Sequence, residues 1–220
     1  MTDLENRRPL QVRQAAWAKT FAARLARAQV TPDLISALSM VFAALGGAFL
    51  ALGGGLPPIP RAGLMIAAAA CIQGRLICNL LDGMVAVEHG KGSVAGPIWN
   101  ELPDRFSDAL LLAGAGYMLG GLGWRIGPSL GWTAAVLAVI TAYVRELGRG
   151  FGLPADFTGP MAKPQRMAAL TAACGLSALE PLWNGSGQMM LIIMALVTVG
   201  TGWTVARRVR NLVAGLKTKG

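Results

Sequence analysis

The chain has 220 residues, 54% hydrophobic and only 14% charged, with a formal net charge of +9. A mean hydropathy of +0.50 excludes a disordered chain and an ordinary soluble domain. The three cysteines, an odd number without paired metal-ligand spacing, give no disulfide or zinc framework.

Residues 1–30 read as a cytoplasmic N-terminal segment. Arg7, Arg8 and Arg13 are not followed by a short apolar core with a small-residue cleavage site, so no signal peptide is expected and the first span itself should direct insertion. Within 11–29, Val12, Trp17, Phe21 and Leu25 recur at intervals of four or five among Arg13, Lys19, Arg24 and Arg27. That pattern predicts an interfacial amphipathic helix, with cations toward anionic headgroups and Trp17 and Phe21 in the acyl boundary; the alternative is a helix packed on the protein's own cytoplasmic face. Thr31 is a candidate N-cap and Pro32 a first helical residue.

Six apolar segments of spanning length follow, over 33–53, 62–86, 102–121, 131–151, 165–183 and 188–206, given that about 20 helical residues cross the hydrocarbon. The expected fold is therefore all-α: a polytopic membrane bundle of six transmembrane helices over 31–211, ending in a basic tail at 212–220. Sheet is not expected, because an open edge cannot be satisfied in lipid and the apolar runs are too long and unalternating for barrel strands. Gly53-Gly54-Gly55-Leu56-Pro57-Pro58, Gly120-Gly121 with Gly127-Pro128, and Pro181 with Asn184-Gly185 mark the outer connections. Gly116 and Gly120 read as close-packing positions, and Cys71, Cys78 and Cys174 as small apolar packing residues.

With six spans, the segments 1–32, 87–101, 152–164 and 207–220 and the helix ends flanking them hold the basic excess, whereas the opposite side holds only Arg61 and Arg125. By the positive-inside rule both termini and the 87–101 loop are cytoplasmic, in an integral protein of a bacterial cytoplasmic membrane. The basic excess accordingly reads as membrane topology, with no nucleic-acid partner expected.

Polar residues inside spans default to function because they are costly there, and they gather in two stripes. Asn79 and Asp82, with Gly83 alongside, share a helix face near the end of the second span; Asn100, Asp104 and Asp108 form a second stripe at the start of the third. A loop of about 88–99 is short enough to make these helices antiparallel neighbours and to bring both stripes to one cytoplasmic depth. Oxygen donors on rigid helices suit hard divalent cations. Gly83 and Gly96 would let a phosphate approach the backbone, helix packing being the alternative. Glu101 lies about 100° around the helix from Asn100. Asp108 pairs with Arg105 or belongs to the site. A second polar group, Arg145, Glu146 and Arg149 with Lys163 and Arg166, lies on the same membrane side and offers positive charge for a phosphate; the alternative is cytoplasmic anchoring, with internal Arg145–Glu146 compensation. Arg207, Arg208 and Arg210 read as anchoring alone.

The spacing resembles the signature of the CDP-alcohol phosphotransferase family, D-x2-D-G-x2-A-R-x8-G-x3-D-x3-D. Asp82, Gly83, Ala86, Gly96 and Asp104 fall on matching positions with every gap length preserved, whereas Asn79, Val87 and Asn100 stand where Asp, Arg and Asp are expected. The resemblance implies transfer of a phosphatidyl or phosphoalcohol group from a CDP-linked donor, by default CDP-diacylglycerol, to an alcohol acceptor with release of CMP, in phospholipid synthesis. It implies one or two Mg2+ or Mn2+ ions held by Asn79, Asp82, Asn100 and Asp104, with Asp104 as general base and Asp108 and Glu101 as auxiliaries. Nucleotide contacts would come from Gly83, Ala86 and Gly96, acceptor contacts from Arg145, Arg149, Lys163 and Arg166, and the assembly would be a homodimer among membrane lipids. With asparagine at two of the four metal positions, that set carries −2 instead of −4, which predicts weaker metal binding and one ion as an alternative to two. A non-catalytic lipid- or nucleotide-binding relative is the competing reading. A small transporter fits less well, because the polar groups gather at one end and no inverted repeat is apparent.

Overall fold

The computed structural model describes residues 15–88, 90 and 94–219, leaving aside the side chains of Pro97 and Asn100. All regular structure among them is helical: α1 (Ala16–Arg27), α2 (Pro32–Gly53), α3 (Pro58–Glu88), α4 (Gly96–Gly121), α5 (Gly127–Gly150), α6 (Lys163–Leu179), a 3-10 turn at Glu180–Trp183, and α7 (Gln188–Lys217). Four of these, α2, α3, α5 and α7, are long and apolar enough to cross a membrane, as befits an integral membrane protein. The segments predicted at 102–121 and 165–183 are also helical, but the first turns of α4 carry Glu101, Asp104, Arg105 and Asp108, and α6 has only 17 residues before the 3-10 turn.

Neighbouring helices close a ring: α2 packs on α3 and α4, α4 on α5, α5 on α7, α7 on α6, and α6 back on α3. The short loop between α3 and α4 does not make them intimate neighbours. They touch at few points because α2 lies against both. Glycine permits that fit: a Cβ on Gly47 of α2 would meet the Leu110 carbonyl oxygen of α4 at 2.6 Å, and one on Gly116 would meet the Gly127 carbonyl oxygen of α5 at 2.6 Å. The core between the helices is Leu, Met, Ala and Ile, including Leu50, Met65, Ile72, Leu111, Met118, Leu170 and Met194, with Cys174 among them. Large side chains such as Ile66, Val136, Leu196 and Trp203 face outward. That inside-out distribution suits a bundle whose solvent is hydrocarbon.

Thr31 caps α2, accepting from Leu34 N at 3.3 Å, with Pro32 in the first turn. In α1 the buried residues are Ala18, Ala22 and Ala26, packed against Leu81, Met84 and Val85 of α3, while Trp17 and Phe21 are exposed. One face of α1 thus rests on the protein and another is left free. Val12 and Arg13, part of the amphipathic pattern, lie outside the described residues. On the side opposite the polar stripes, Arg61 is buried and donates to the Gly185 carbonyl at 3.0 Å. Buried Glu180 accepts Gly187 N at 2.7 Å and Met189 N at 2.9 Å, so these two charges organise the α6–α7 connection.

Candidate active site

Arg75, Asn79 and Asp82 recur at four and three residues along α3 and so share a face. Asp104 and Asp108 of α4 are likewise one turn apart, and Lys163 and Arg166 open α6. The ring topology brings these three helices to one place. Asp108 is the fixed centre: buried Arg75 Nη2 donates to its Oδ1 at 2.8 Å and buried Arg166 Nη2 to its Oδ2 at 2.8 Å. Two guanidinium groups on one buried carboxylate satisfy a charge that would otherwise be costly in this medium. Arg166 also donates to the Met161 carbonyl at 3.0 Å, anchoring the chain ahead of α6.

Asp104 sits beside this centre, partly exposed. Its Oδ1 accepts from Asn79 Nδ2 and, at 3.3 Å, from Arg75 Nη2; its Oδ2 accepts from Lys163 Nζ. Asp82 has a different environment. Its Oδ2 accepts from the Ser36 hydroxyl of α2 at 2.7 Å and its Oδ1 from the Gly83 backbone N–H, and no Lys, Arg or His among the described residues pairs with it. It lies within electrostatic reach of Asp104 and Lys163. The two motif carboxylates thus share a site while differing in compensation: one is held by cations, the other by neutral donors. Gly83, Ala86 and Gly96 are half-buried at the ends of α3 and α4. Asn100 is helical, but its side chain lies outside the described set.

The second group of sequence candidates divides. Lys163 and Arg166 join Asp104 and Asp108, whereas Arg145 and Arg149 do not. Arg145 of α5 bridges to Glu101 of α4, donates to Glu146 at 2.9 Å, and stacks 5.3 Å from the Phe157 ring centroid. Arg149 donates to Glu146 at 2.9 Å. Arg105 pairs with Glu101, one turn before it, and not with Asp108, which faces the bundle interior. Glu101 therefore ties α4 to α5 through Arg145. A cavity of about 300 Å3 opens beside Arg145, lined by Val144, Leu153, Asp156, Arg208 and Leu212 among others. Arg208 departs from its surface reading. It is buried and donates to the Thr158 carbonyl at 3.0 Å and the Thr141 carbonyl at 2.7 Å, holding α7, α5 and the 151–162 segment together.

Sequence reasoning missed Arg75 and Ser36. Arg75 had a detectable signal, an arginine deep in an apolar 31-residue helix one turn before Asn79. Ser36 had none, because its partner lies 46 residues away on another helix. Among the described residues no three Asp, Glu, His or Cys side chains come together as a metal-binding group, so an ion here would draw on at most two carboxylates, with carboxamide and substrate oxygens completing its shell.

No protein-family model matches the chain. A stretch of 152 residues, 67% of this chain, is 30% identical to the "Bifunctional IPC transferase and DIPP synthase" of Rubrobacter xylanophilus and spans about a third (31%) of that protein's length. The fold is that of Mycobacterium tuberculosis phosphatidylinositol phosphate synthase. Its crystal structure with CDP-DAG bound aligns with a TM-score of 0.75 at 20% identity, over 90% of this chain and 94% of that one. Its complex with manganese and citrate aligns at 0.72, also at 20% identity, over 89% and 88%. The resemblance carried by the spacing from Asn79 to Asp104 is borne out in fold and in a curated transferase relative.

Proposed function

We propose that this chain is an integral membrane CDP-alcohol phosphotransferase that moves a phosphatidyl or phosphoalcohol group from a CDP-linked donor, by default CDP-diacylglycerol, to an alcohol hydroxyl with release of CMP. The observation that carries the reading is the convergence of Asp82 from α3 and Asp104 from α4 with Arg75, Lys163 and Arg166 in one polar site. The CDP-DAG complex of the structural relative and the transferase relative support it. In this reading α4 and α6 also span, giving six spans, and both termini and the site face the cytoplasm. The working unit is residues 31–211, as a homodimer in the lipid.

The donor chemistry fits magnesium or manganese, for which a relative with manganese bound is the precedent. Asp82 is a buried carboxylate without a cationic partner among the described residues, and Asn79 commits its amide nitrogen to Asp104, leaving its oxygen. Asn100 is a further candidate ligand. When bound, a divalent ion supplies charge neutralisation to the donor pyrophosphate. The protein's own groups do the rest. Gly83, Ala86 and Gly96 line the approach for the nucleotide, and Lys163 offers a compact positive charge to a phosphate. Asp104 takes the proton of the attacking hydroxyl at Oδ2 once Lys163 turns from it to phosphate. Arg75 and Arg166 keep Asp108 and the α3–α4–α6 junction rigid, so that Asp104 is correctly placed.

The decisive experiment is CMP release by the purified protein in lipid, given CDP-diacylglycerol and a pool of alcohols, with magnesium or manganese and with chelator. Metal-dependent, acceptor-dependent CMP is expected. Donor binding without CMP would instead identify a binding relative, the reading favoured by a cation-paired Asp104 and by Asn79, Val87 and Asn100 in the motif.

A further inference from the structure

The two motif carboxylates are not equivalent. Asp104 engages Lys163 through one oxygen and Arg75 and Asn79 through the other. Asp82, only 5% exposed, is held by a hydroxyl and a backbone N–H and pairs with no cation among the described residues. A pair of divalent ions about 3.5–4 Å apart needs carboxylates to share between them. Two of the four motif positions, Asn79 and Asn100, are neutral carboxamides.

We propose, building on the transferase reading, that this site takes one divalent cation, at Asp82, and that the Lys163 ammonium seated on Asp104 supplies the positive charge where a second ion would otherwise be required.

Charge balance favours this assignment. Within the site Asp82, Asp104 and Asp108 oppose Arg75, Lys163 and Arg166, three against three. One divalent ion then matches the two negative charges of a donor pyrophosphate diester, whereas a second would leave two positive charges uncompensated in a low-dielectric site. The ligand count agrees, since magnesium is commonly held by one or two carboxylates plus substrate phosphates. A lysine ammonium is also a compact, mobile point charge, able to stay near Asp104 and still follow a phosphate oxygen. Asp108 is not the missing ligand, because two buried guanidinium groups already match its charge, whereas the partners of Asp82 are neutral.

The test is manganese stoichiometry by calorimetry and electron paramagnetic resonance on the full chain in lipid nanodiscs saturated with CDP-diacylglycerol. One Mn2+ per chain with an isolated-ion spectrum is expected; two per chain with a spin-coupled spectrum overturns the proposal. Lys163→Met should tighten Mn2+ binding about tenfold by freeing Asp104, and Lys163→Arg, which keeps the charge, should not. A lysine acting only on acceptor or structure would leave Mn2+ affinity unmoved in both variants, and that result also overturns the assignment. The wild-type stoichiometry stands whether or not a variant folds. CMP release with two ions bound defeats the single-ion assignment alone. One ion bound without CMP, with any alcohol, defeats the transferase reading while supporting the assignment. No Mn2+ bound defeats both.

Discussion

Asp104 and Asp82 are the same residue type on consecutive helices, and their surroundings divide the labour. Asp104→Asn keeps the shape and removes the base, so CMP release should fall by about 10²–10⁴-fold while CDP-donor binding, read by calorimetry, stays largely intact. Loss of binding would instead make Asp104 a ligand. Arg75 is the residue on which the site's rigidity rests. Fully buried, it donates to both Asp104 and Asp108, and its Nε and Nη1 have no hydrogen-bond partner among the described residues. Arg75→Met leaves buried carboxylate charge undercompensated and should destabilise the fold by about 3–5 kcal/mol, read as a lowered unfolding temperature in detergent or nanodiscs. An unchanged temperature would mean that Arg166 alone suffices for Asp108.

Between elements, fit is decided by small residues and by a few long side chains that reach across. Gly47→Leu would drive a side chain into the Leu110 carbonyl and part α2 from α4, at a cost of about 1–3 kcal/mol that should appear in thermal unfolding together with lost CMP release. Outside the spans, Asp156 ties the 151–162 segment to α7, accepting from Thr158 N at 2.8 Å and Asn211 Nδ2 at 3.0 Å. Burial raises the proton affinity of its carboxyl, but hydrogen bonds from the Thr158 and Asn211 side chains and the Thr158 backbone, with the Arg208 charge nearby, outweigh it and hold Asp156 below the ordinary carboxylate range. The stability Asp156 contributes is therefore present above the unfolded carboxylate pKa and is lost as pH falls through its depressed folded value. Asp156→Asn should remove that acid sensitivity from the unfolding temperature, and an unchanged pH profile would assign it to other groups. The α1 helix poses a different question, since its alanine face is buried on α3 while Trp17 and Phe21 are free. Quenching of Trp17 fluorescence by brominated lipid, measured with the five other tryptophans replaced by phenylalanine, would place that free face in the interface; no quenching would leave α1 as a purely protein-packed helix.

At the scale of the whole molecule, the helix-forming segments were legible in the sequence because lipid imposes a length and a composition on anything that crosses it. All six expected segments are helical, although only four meet the demands of a span by length and hydropathy alone. The motif residues were equally legible, because ionisable groups in apolar helices are conspicuous and fixed gap lengths place them on one face of each helix. What the sequence left open was partnership. Arg105 stands three residues from Asp108 yet pairs with Glu101, while Asp108 is met by Arg75 and Arg166 from two other helices. Arg208 looked like one of a run of anchoring cations and proved to be a buried link between α7 and α5. Helical periodicity settles what is local: which residues form helices, which face each occupies, and which polar groups must find company. Which charge meets which is decided by the order in which the helices close the ring, with α2 lying against both α3 and α4 and α6 returning to α3. That order depends on close approach at positions such as Gly47 and Gly116, and only the tertiary structure reveals it, because such packing joins residues far apart in the chain and carries no periodic mark along it.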